Sequence, residues 1–238
     1  YRRDPSGNTA WHHHANLVAS DSAPSGYLGT SLYLNNDNIF VGATGAYEWG
    51  TAFIGKVYHY TLPPRVTGLF AQTNKGTIDI TPESGSLATV SSPIEQLDIE
   101  FSQQVNNYEG APPIPLNDVK NPENYLLVRP GLNKVFETTS CITGADGDDN
   151  IITVNSVSYD SDSFTATLDT NNGASLPTGD YRLLVCGSTS ITNHWSDKLD
   201  GNEDLLGGED YIVEFTVESD TICFPVKTPA SRVSVVCL

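Results

Sequence analysis

The densest group of metal-ligating side chains in this sequence lies in the segment from Asp197 to Asp210. The segment reads Asp-Lys-Leu-Asp-Gly-Asn-Glu-Asp-Leu-Leu-Gly-Gly-Glu-Asp and carries six carboxylates. Carboxylate and amide oxygens in a glycine-bearing loop suit a hard cation such as Ca²⁺, although the glycine position and the lack of flanking helices exclude an EF-hand. The alternative is a solvated acidic loop whose glycines serve turns. The candidate calcium ligands are Asp197, Asp200, Asn202, Asp204 and Asp210.

Two further motifs carry weaker metal-binding signals. The acidic turn Asp146-Gly-Asp-Asp149 is interpreted first as a surface hairpin loop, but it would share an ion with the first loop if both lie at one end of a domain. His12-His-His14 offers three imidazoles. Because alternate residues of a strand face opposite sides, only His12 and His14 would converge on one ligand.

Signatures of catalysis are missing from the sequence. It contains no Gly-x-Ser-x-Gly turn, no phosphate-binding glycine loop and no His-Glu-x-x-His motif. Its many carboxylates do not single out a pair for glycoside chemistry. Trp11, Trp49 and Trp195 suit either a core or a carbohydrate platform. We therefore expect a protein that is not an enzyme.

The four cysteines, Cys141, Cys186, Cys223 and Cys237, form no Cys-x-x-Cys pair and have no histidine at zinc-ligand spacing. An even count in an acidic, strand-rich chain favours disulfides and an oxidising compartment. Three pairings are open, of which we favour Cys141–Cys186 and Cys223–Cys237. The second would close a loop of about 15 residues and contribute roughly 3 kcal/mol. The alternative is four buried thiols in a cytosolic protein.

Composition narrows the class of protein. The 238 residues suffice for one large or two small domains. A formal net charge of -17, with only 12 scattered Lys and Arg residues, argues against nucleic-acid binding. The acidity fits solubility, calcium binding or an extracellular setting. The sequence contains no Met and no apolar run of membrane-spanning length. We expect a processed product or fragment that does not insert into a membrane.

Short runs rich in Val, Ile, Thr and Tyr, separated by Asn, Asp, Ser, Gly and Pro, predict an all-β chain. Pro63-Pro64 marks a boundary after the first 62 residues. Seven or more strands between residues 65 and 218 suit a two-sheet sandwich. The strands are predicted at Thr77–Thr81, Ile94–Phe101, Tyr125–Arg129, Ile151–Tyr159, Phe164–Leu168, Gly179–Cys186 and Tyr211–Val217.

The first 62 residues contain two alternating runs bounded by glycines. Gly26, Gly29, Ser31, Val41-Gly-Ala43 and Gly55-Lys-Val-Tyr58 resemble one blade of an FG-GAP β-propeller. The resemblance implies a partial blade over residues 1–62. A single repeat cannot bury its own faces, so the blade is expected to need neighbours. Many members carry an acidic calcium loop where this chain has Asn35-Asn-Asp-Asn38.

Five motifs follow one another between residues 65 and 218, namely Ile99–Ser102, Asn121–Tyr125, Leu176–Leu183, Leu199–Asn202 and Asp210–Phe215. Their order resembles that of a bacterial Ig-like domain of secreted, surface-layer and adhesin proteins, and the resemblance covers nearly the whole domain, residues 65–218. Residues 219–238 are expected to form a β tail with a strand over Arg232–Cys237.

These patterns lead to one function and one alternative. The leading hypothesis is an extracellular structural or adhesive protein, a fragment or subunit of a surface layer, sheath or filament. It would self-assemble, or join neighbouring domains of the same precursor, through exposed strand edges. The alternative is a non-catalytic calcium-dependent module that binds carbohydrate or protein and belongs to a larger secreted enzyme. Neither involves nucleic acid.

Overall fold

The prevalence of β-branched and aromatic residues between Gly, Pro, Asn and Asp turns favours strands throughout the chain. The structure, a computed structural model, describes residues 2–3, 11–12, 17–20, 27–35, 38–45, 55–82, 87–110, 113–219, 223–227 and 233–237. Their regular elements are seventeen strands and two single-turn 3₁₀ helices, so the all-β prediction is confirmed. The chain divides into two compact units, residues 1–62 (unit 1) and 63–238 (unit 2). The predicted division into residues 1–62, 65–218 and 219–238 stays a prediction.

Unit 1 contains one antiparallel sheet of three strands in the order β3-β4-β5. Val41 and Ala43 on its central strand are buried, whereas the edge strand β3 is exposed along nearly its whole length. The strands of unit 1 are β1 (Arg2–Arg3), β2 (Trp11–His12), β3 (Leu28–Asn35), β4 (Asn38–Ala43) and β5 (Lys56–Thr61). Strand β1 pairs with β2 in a separate antiparallel ladder.

Unit 2 contains two five-stranded sheets and a terminal hairpin. The first ten strands are β6 (Val66–Thr73), β7 (Gly76–Asp79), β8 (Ala88–Val90), β9 (Ile94–Phe101), β10 (Tyr125–Arg129), β11 (Asn150–Ile152), β12 (Val154–Asp160), β13 (Thr165–Thr170), β14 (Gly179–Val185) and β15 (Tyr211–Val217). The hairpin is formed by β16 (Cys223–Lys227) and β17 (Val233–Cys237). The 3₁₀ helices are Pro122–Asn124 and Asn171–Gly173.

Strand order defines the two sheets of the sandwich. Sheet I has the order β7-β6-β9-β13-β12, and sheet II has the order β8-β15-β14-β10-β11. All pairs are antiparallel except β8 with β15. Inward-facing residues of both sheets form one hydrophobic core, in which each large side chain stabilises the fold by about 1.5–3 kcal/mol. Its members include Leu69, Leu97, Ile99, Phe101 and Leu168 from sheet I and Leu127, Tyr181, Leu183, Val213 and Phe215 from sheet II.

The structure differs from the strand prediction at three places. The predicted strand Ile151–Tyr159 is two strands, because the chain leaves sheet II after Ile152 and enters sheet I at Val154. The prediction also missed β6, which lies between β7 and β9 in sheet I, and the short strand β8 at the edge of sheet II. Alternation of apolar and polar residues identifies an extended segment, but it does not reveal which sheet each part of the segment joins.

Candidate functional site

Asp200 organises the acidic loop from inside. Its side chain is 1% exposed, and its carboxylate accepts hydrogen bonds from the backbone N–H groups of Asp204 at 3.0 Å and Leu205 at 2.7 Å. The loop then returns closely past its own start. A Cβ atom at Gly201 would lie 2.2 Å from the carbonyl carbon of Asp210, so only glycine fits there. The predicted role of the glycines in turning this loop therefore has a steric basis.

Three carboxylates converge in this loop. One oxygen each of Asp200, Asp204 and Glu209 lies within 4.8 Å of the other two. Oε2 of Glu209 is buried and has no hydrogen-bond partner among the described residues. Asn202 lies beside this group, and its Oδ1 accepts a hydrogen bond from the N–H of Asp204 at 3.0 Å. Converging oxygen ligands with one unsatisfied buried oxygen have the chemistry that a hard divalent cation requires.

The other two predicted ligands point to different partners. Oδ2 of Asp197 accepts a hydrogen bond from Nδ2 of Asn193 at 3.0 Å. Asp210 accepts four hydrogen bonds: from the hydroxyl of Ser140 and the N–H of Cys141, and from the N–H and hydroxyl of Ser188. Neither joins the group of three. Their role as calcium ligands stays a prediction, whereas Glu209 joins the group without having been predicted as a ligand.

Asp210 connects the two acidic loops beside a disulfide. Cys141 bonds to Cys186, with the two Cα atoms 5.6 Å apart, so this predicted pairing is confirmed. The carboxylate of Asp210 reaches the same junction, since it accepts from the N–H of Cys141 at 2.7 Å. The loop 130–149 and the loop 197–210 thus meet at one end of the sandwich. Cys223 lies opposite Cys237 in the register of the terminal hairpin. Their side chains lie outside what the structure describes, so that disulfide stays a prediction.

The second acidic turn fastens its own loop. Asp148 accepts a hydrogen bond from the N–H of Leu132 at 2.8 Å, and Asp149 accepts from the N–H groups of Glu137 at 3.0 Å and Thr138 at 2.8 Å. Burial alone would raise the pKa of Asp149, but the hydrogen bonds from the backbone and side chain of Thr138 and from the backbone of Glu137 outweigh it and lower that pKa below its usual value. These carboxylates are not part of the group formed by Asp200.

Loop 130–149 covers part of the outer face of sheet II. Nη1 of Arg182 donates to the carbonyl of Thr138 at 2.6 Å, and its guanidinium lies 4.7 Å from the centre of the Phe136 ring. Arg182 also forms an ion pair with Glu214. Val128 and Leu184 lie on the outer face and are nevertheless fully buried. The loop, pinned by the disulfide, therefore covers part of this face, while Ile212 on the adjacent strand β15 stays 41% exposed.

The outer face of sheet I is open. Cross-strand register aligns its residues in rows, because directly opposite residues share a face. One row runs Asp79, Phe70, Asp98, Thr167 and Ser158, and the next runs Gly68, Glu100, Thr165 and Asp160. Phe70, Asp98, Glu100, Thr165 and Thr167 remain partly exposed. Together with neighbouring residues they line a depression of about 500 Å³.

The remaining predicted groups do not form a common site among the described residues. Trp195 is 64% exposed and makes an edge contact with His194, with ring centroids 5.6 Å apart. Trp49, His13 and His14 lie outside the described residues, and Trp11 and His12 are described only as the backbone of β2. The carbohydrate platform and the histidine ligand site stay predictions.

The fold and the site define an all-β chain with a disulfide-pinned two-sheet unit. No helix in the described part of the chain has the length and apolar character of a membrane span. No protein-family model and no curated protein sequence matches the chain.

Two solved structures are similar to 73% of this chain. The N-terminal part of the bacterial S-layer protein SbsC aligns with a TM-score of 0.36 and 12% identity, and the S-layer protein rSbsC(31-844) aligns with 0.34 and 11%. The alignments cover 32% and 19% of those chains, so this chain spans about a third and a fifth of their lengths. Similarity at this level does not assign a function.

Proposed function

We propose that this chain is an extracellular, non-catalytic structural protein that assembles through the sheet β3-β4-β5. The observation that carries the proposal is the exposed edge strand of that sheet. Leu32, Tyr33 and Leu34 on β3 are each more than 60% exposed. Consecutive residues of a strand face opposite sides, so both faces of the sheet present large apolar groups at this edge. An exposed apolar edge strand is a site at which another chain adds a strand.

The apolar character continues across the sheet on both faces. Tyr33, Phe40 and His59 lie in one cross-strand row, and the rings of Phe40 and His59 stack with centroids 4.6 Å apart. Leu34, Ile39 and Tyr60 form the neighbouring row on the opposite face. A sheet with two apolar faces is typical of an element that stacks between neighbours, because each face must be covered to leave water.

The FG-GAP-like interpretation supports the same proposal. A propeller blade has four strands, and this sheet has three among the described residues. A strand from another chain or a neighbouring repeat would complete it. Gly42, one of the matching residues, fits the required close packing, because a Cβ there would lie 2.2 Å from Oγ of Ser31. The partial blade over residues 1–62 is part of the proposal.

The Ig-like interpretation of residues 65–218 is supported by strand order and by one tyrosine. The order β6-β9-β13-β12 corresponds to strands A-B-E-D of an Ig sandwich, and β15-β14-β10 corresponds to G-F-C. Tyr181 lies near the start of β14, and its hydroxyl donates to the carbonyl of Pro177. This is the arrangement of a tyrosine corner, which Ig-like domains place at the start of strand F.

The disulfide supports the extracellular location. A bond such as Cys141–Cys186 persists in oxidising compartments and is rare in the cytosol. It also connects two long loops of a domain that would work as a load-bearing or spacing unit between assembly contacts. The proposed role therefore requires no catalytic group.

Calcium is a second component of the proposal, favoured by the unsatisfied oxygen of Glu209. Three carboxylates within 4.8 Å repel one another unless a cation or a proton neutralises them. Asp200, Asp204 and Glu209 would supply the protein ligands, with Asn202 close by. Calcium bound there would stiffen the loop that Asp210 connects to the disulfide, and it would make the protein more stable by mass action.

Light scattering after size-exclusion chromatography tests the assembly. The wild-type chain is expected to form large species that grow with concentration, and Leu34→Lys is expected to give monomers because Lys blunts an edge strand. Leu132→Lys is the matched control, since Leu132 is 99% exposed on unit 2 and should leave assembly unchanged. Wild-type chains that stay monomeric at every concentration, with residues 27–61 folded, would contradict the proposal.

Titration calorimetry with Ca²⁺ tests the metal component. Oδ1 of Asp204 accepts a hydrogen bond from the N–H of Leu206 at 2.8 Å. Asp204→Asn keeps an oxygen that can accept this hydrogen bond and removes one negative charge. It is expected to weaken binding at least about tenfold, a loss that even outer-shell partners of a metal can cause. Asp162→Asn, in the turn after β12, is the control. Equal heats for both variants and the wild type would exclude this site.

A further inference from the structure

The open face of sheet I is acidic. The five strands of this sheet contain no Lys and no Arg. Their register directs five carboxylates outward, those of Asp79, Asp98, Glu100, Asp160 and Asp169. On sheet II, in contrast, Arg182 pairs with Glu214 beneath a covering loop. The sandwich thus has one partly covered face, on which a cation pairs with a carboxylate, and one open face whose strands carry only negative charges.

An aromatic ring lies at the centre of the open face. A Cβ atom at Gly68 would lie 2.6 Å from Cε2 and 3.0 Å from Cζ of Phe70, so the ring of Phe70 lies over the glycine two residues earlier on the same strand. The same Cβ would lie 3.1 Å from Oε2 of Glu100. The ring and the carboxylate therefore stand side by side. A ring face next to a carboxylate is the pair of groups that attracts an ammonium or guanidinium group.

Several hydrogen-bond donors of this face are already used. Nε2 of Gln72 donates to Oδ2 of Asp98, Oγ1 of Thr167 donates to Oδ1 of Asp98, and Oγ1 of Thr77 donates to Oε1 of Gln72. Oγ1 of Thr165 donates within its own turn, to the carbonyl of Ser163. The polar groups that remain exposed to solvent on this face are mostly hydrogen-bond acceptors. A ligand of this depression must bring the donors, which favours a cation over a neutral sugar.

Hydrogen bonds keep the flanking carboxylates charged. The side chain and the N–H of Thr81 lower the pKa of Asp79. The N–H of Asp162 and the hydroxyl of Ser163 lower the pKa of Asp160. Both groups are therefore ionised at neutral pH, with Asp79 at one end of the Phe70 row and Asp160 at the far end of the Glu100 row.

We infer that the open face of sheet I, centred on Phe70 and Glu100, is a docking surface for a Lys- or Arg-rich segment of a partner protein. Charge complementarity identifies the partner, because the five strands direct five carboxylates outward and carry no Lys or Arg. The depression of about 500 Å³ accommodates one or two basic side chains beside the ring. This surface lies within unit 2, and its test is independent of assembly through β3.

Fluorescence anisotropy with labelled hexalysine tests the inference on the full chain. Phe70→Leu is expected to weaken binding roughly two- to fivefold, as loss of an exposed cation–π contact does. Glu100→Gln is expected to weaken it by a similar factor, about two- to fivefold. Glu218→Gln, an exposed carboxylate after β15, is the matched control and should bind like the wild type. Circular dichroism melts establish that each variant is folded, and Glu100→Gln serves if Phe70→Leu does not fold.

Two further probes distinguish the class of ligand. Hexalysine acetylated on every Nζ should not bind, and binding of hexalysine should weaken with salt because exposed charges are screened. Equal affinity of Phe70→Leu, Glu100→Gln and the wild type would overturn the inference and assign the binding to the overall negative charge. Saturable binding of chitohexaose that these two variants abolish would overturn it in favour of a neutral glycan.

Discussion

Removing the Cys141–Cys186 disulfide is expected to destabilise unit 2 and to uncover the outer face of sheet II. The bond joins residues 45 positions apart. In the chain-entropy model, a loop of that length corresponds to about 4 kcal/mol at 25 °C. The double variant Cys141→Ala/Cys186→Ala should therefore lose about that much free energy of unfolding. Val128 and Leu184, which are buried on that face, should become accessible to an apolar dye.

The measurement is urea unfolding of the wild type and the double variant, with dye binding in the native baseline. The slope of free energy against urea should rise in the variant, because the denatured chain without the crosslink exposes more surface. Asp210→Asn provides the comparison, since Asp210 holds the same junction by four hydrogen bonds. A loss below about 1 kcal/mol without dye binding would refute the reasoning, because the hydrogen bonds alone would then hold the loop.

Four other substitutions probe the described contacts, each measured by urea unfolding. Tyr181→Phe removes the hydrogen bond to a backbone carbonyl four residues earlier and should cost about 0.5–1.5 kcal/mol. Gly201→Ala should cost roughly 1–3 kcal/mol, because its Cβ would overlap the returning backbone of the loop. The pKa of Asp149 is lowered in the folded protein, so its carboxylate stabilises the fold above the unfolded pKa of about 3.9, and this stabilisation is lost as pH falls. Asp149→Asn should therefore make the free energy of unfolding fall less steeply with decreasing pH. Burial, followed by the charges of Glu203 and Asp79, raises the pKa of Tyr211 to about 12, so its contribution to stability should be lost as pH rises from about 10 to 12. Tyr211→Phe should reduce that fall without abolishing it, because burial also raises the pKa values of Tyr125, Tyr159 and Tyr181. If a variant has the same free energy of unfolding as the wild type under the stated conditions, the contact assigned to that residue does not stabilise the fold as proposed.

Local patterns predicted much of the strand content. The run Ile94–Phe101 is a strand whose Leu97, Ile99 and Phe101 face the core as predicted. Tyr125–Arg129 and Tyr211–Val217 were predicted with the bounds that the structure has. These predictions succeed because alternation along a strand reflects the burial of one face, which is a local property.

The candidate site was only partly accessible to such patterns. Composition identified the acidic segment, and the even cysteine count led to the Cys141–Cys186 pair. Composition did not distinguish the role of Asp210, which holds the junction of the two loops, from that of Glu209, whose oxygen lies with those of Asp200 and Asp204. Neighbours in sequence have the same chemistry here, and only the path of the returning loop decides which carboxylate meets which partner.

The amino-acid sequence by itself determined an acidic, all-β chain with short strands, a glycine-bearing acidic loop and cysteines suited to disulfides. These properties follow from composition and from side-chain periodicity, which act within a few residues. The tertiary structure alone decided that β6 lies between β7 and β9, that the chain changes sheets at Thr153, and that loop 130–149 covers part of sheet II while sheet I stays open. Such pairings join residues far apart in the chain, and they are selected by the burial of whole faces rather than by any local preference.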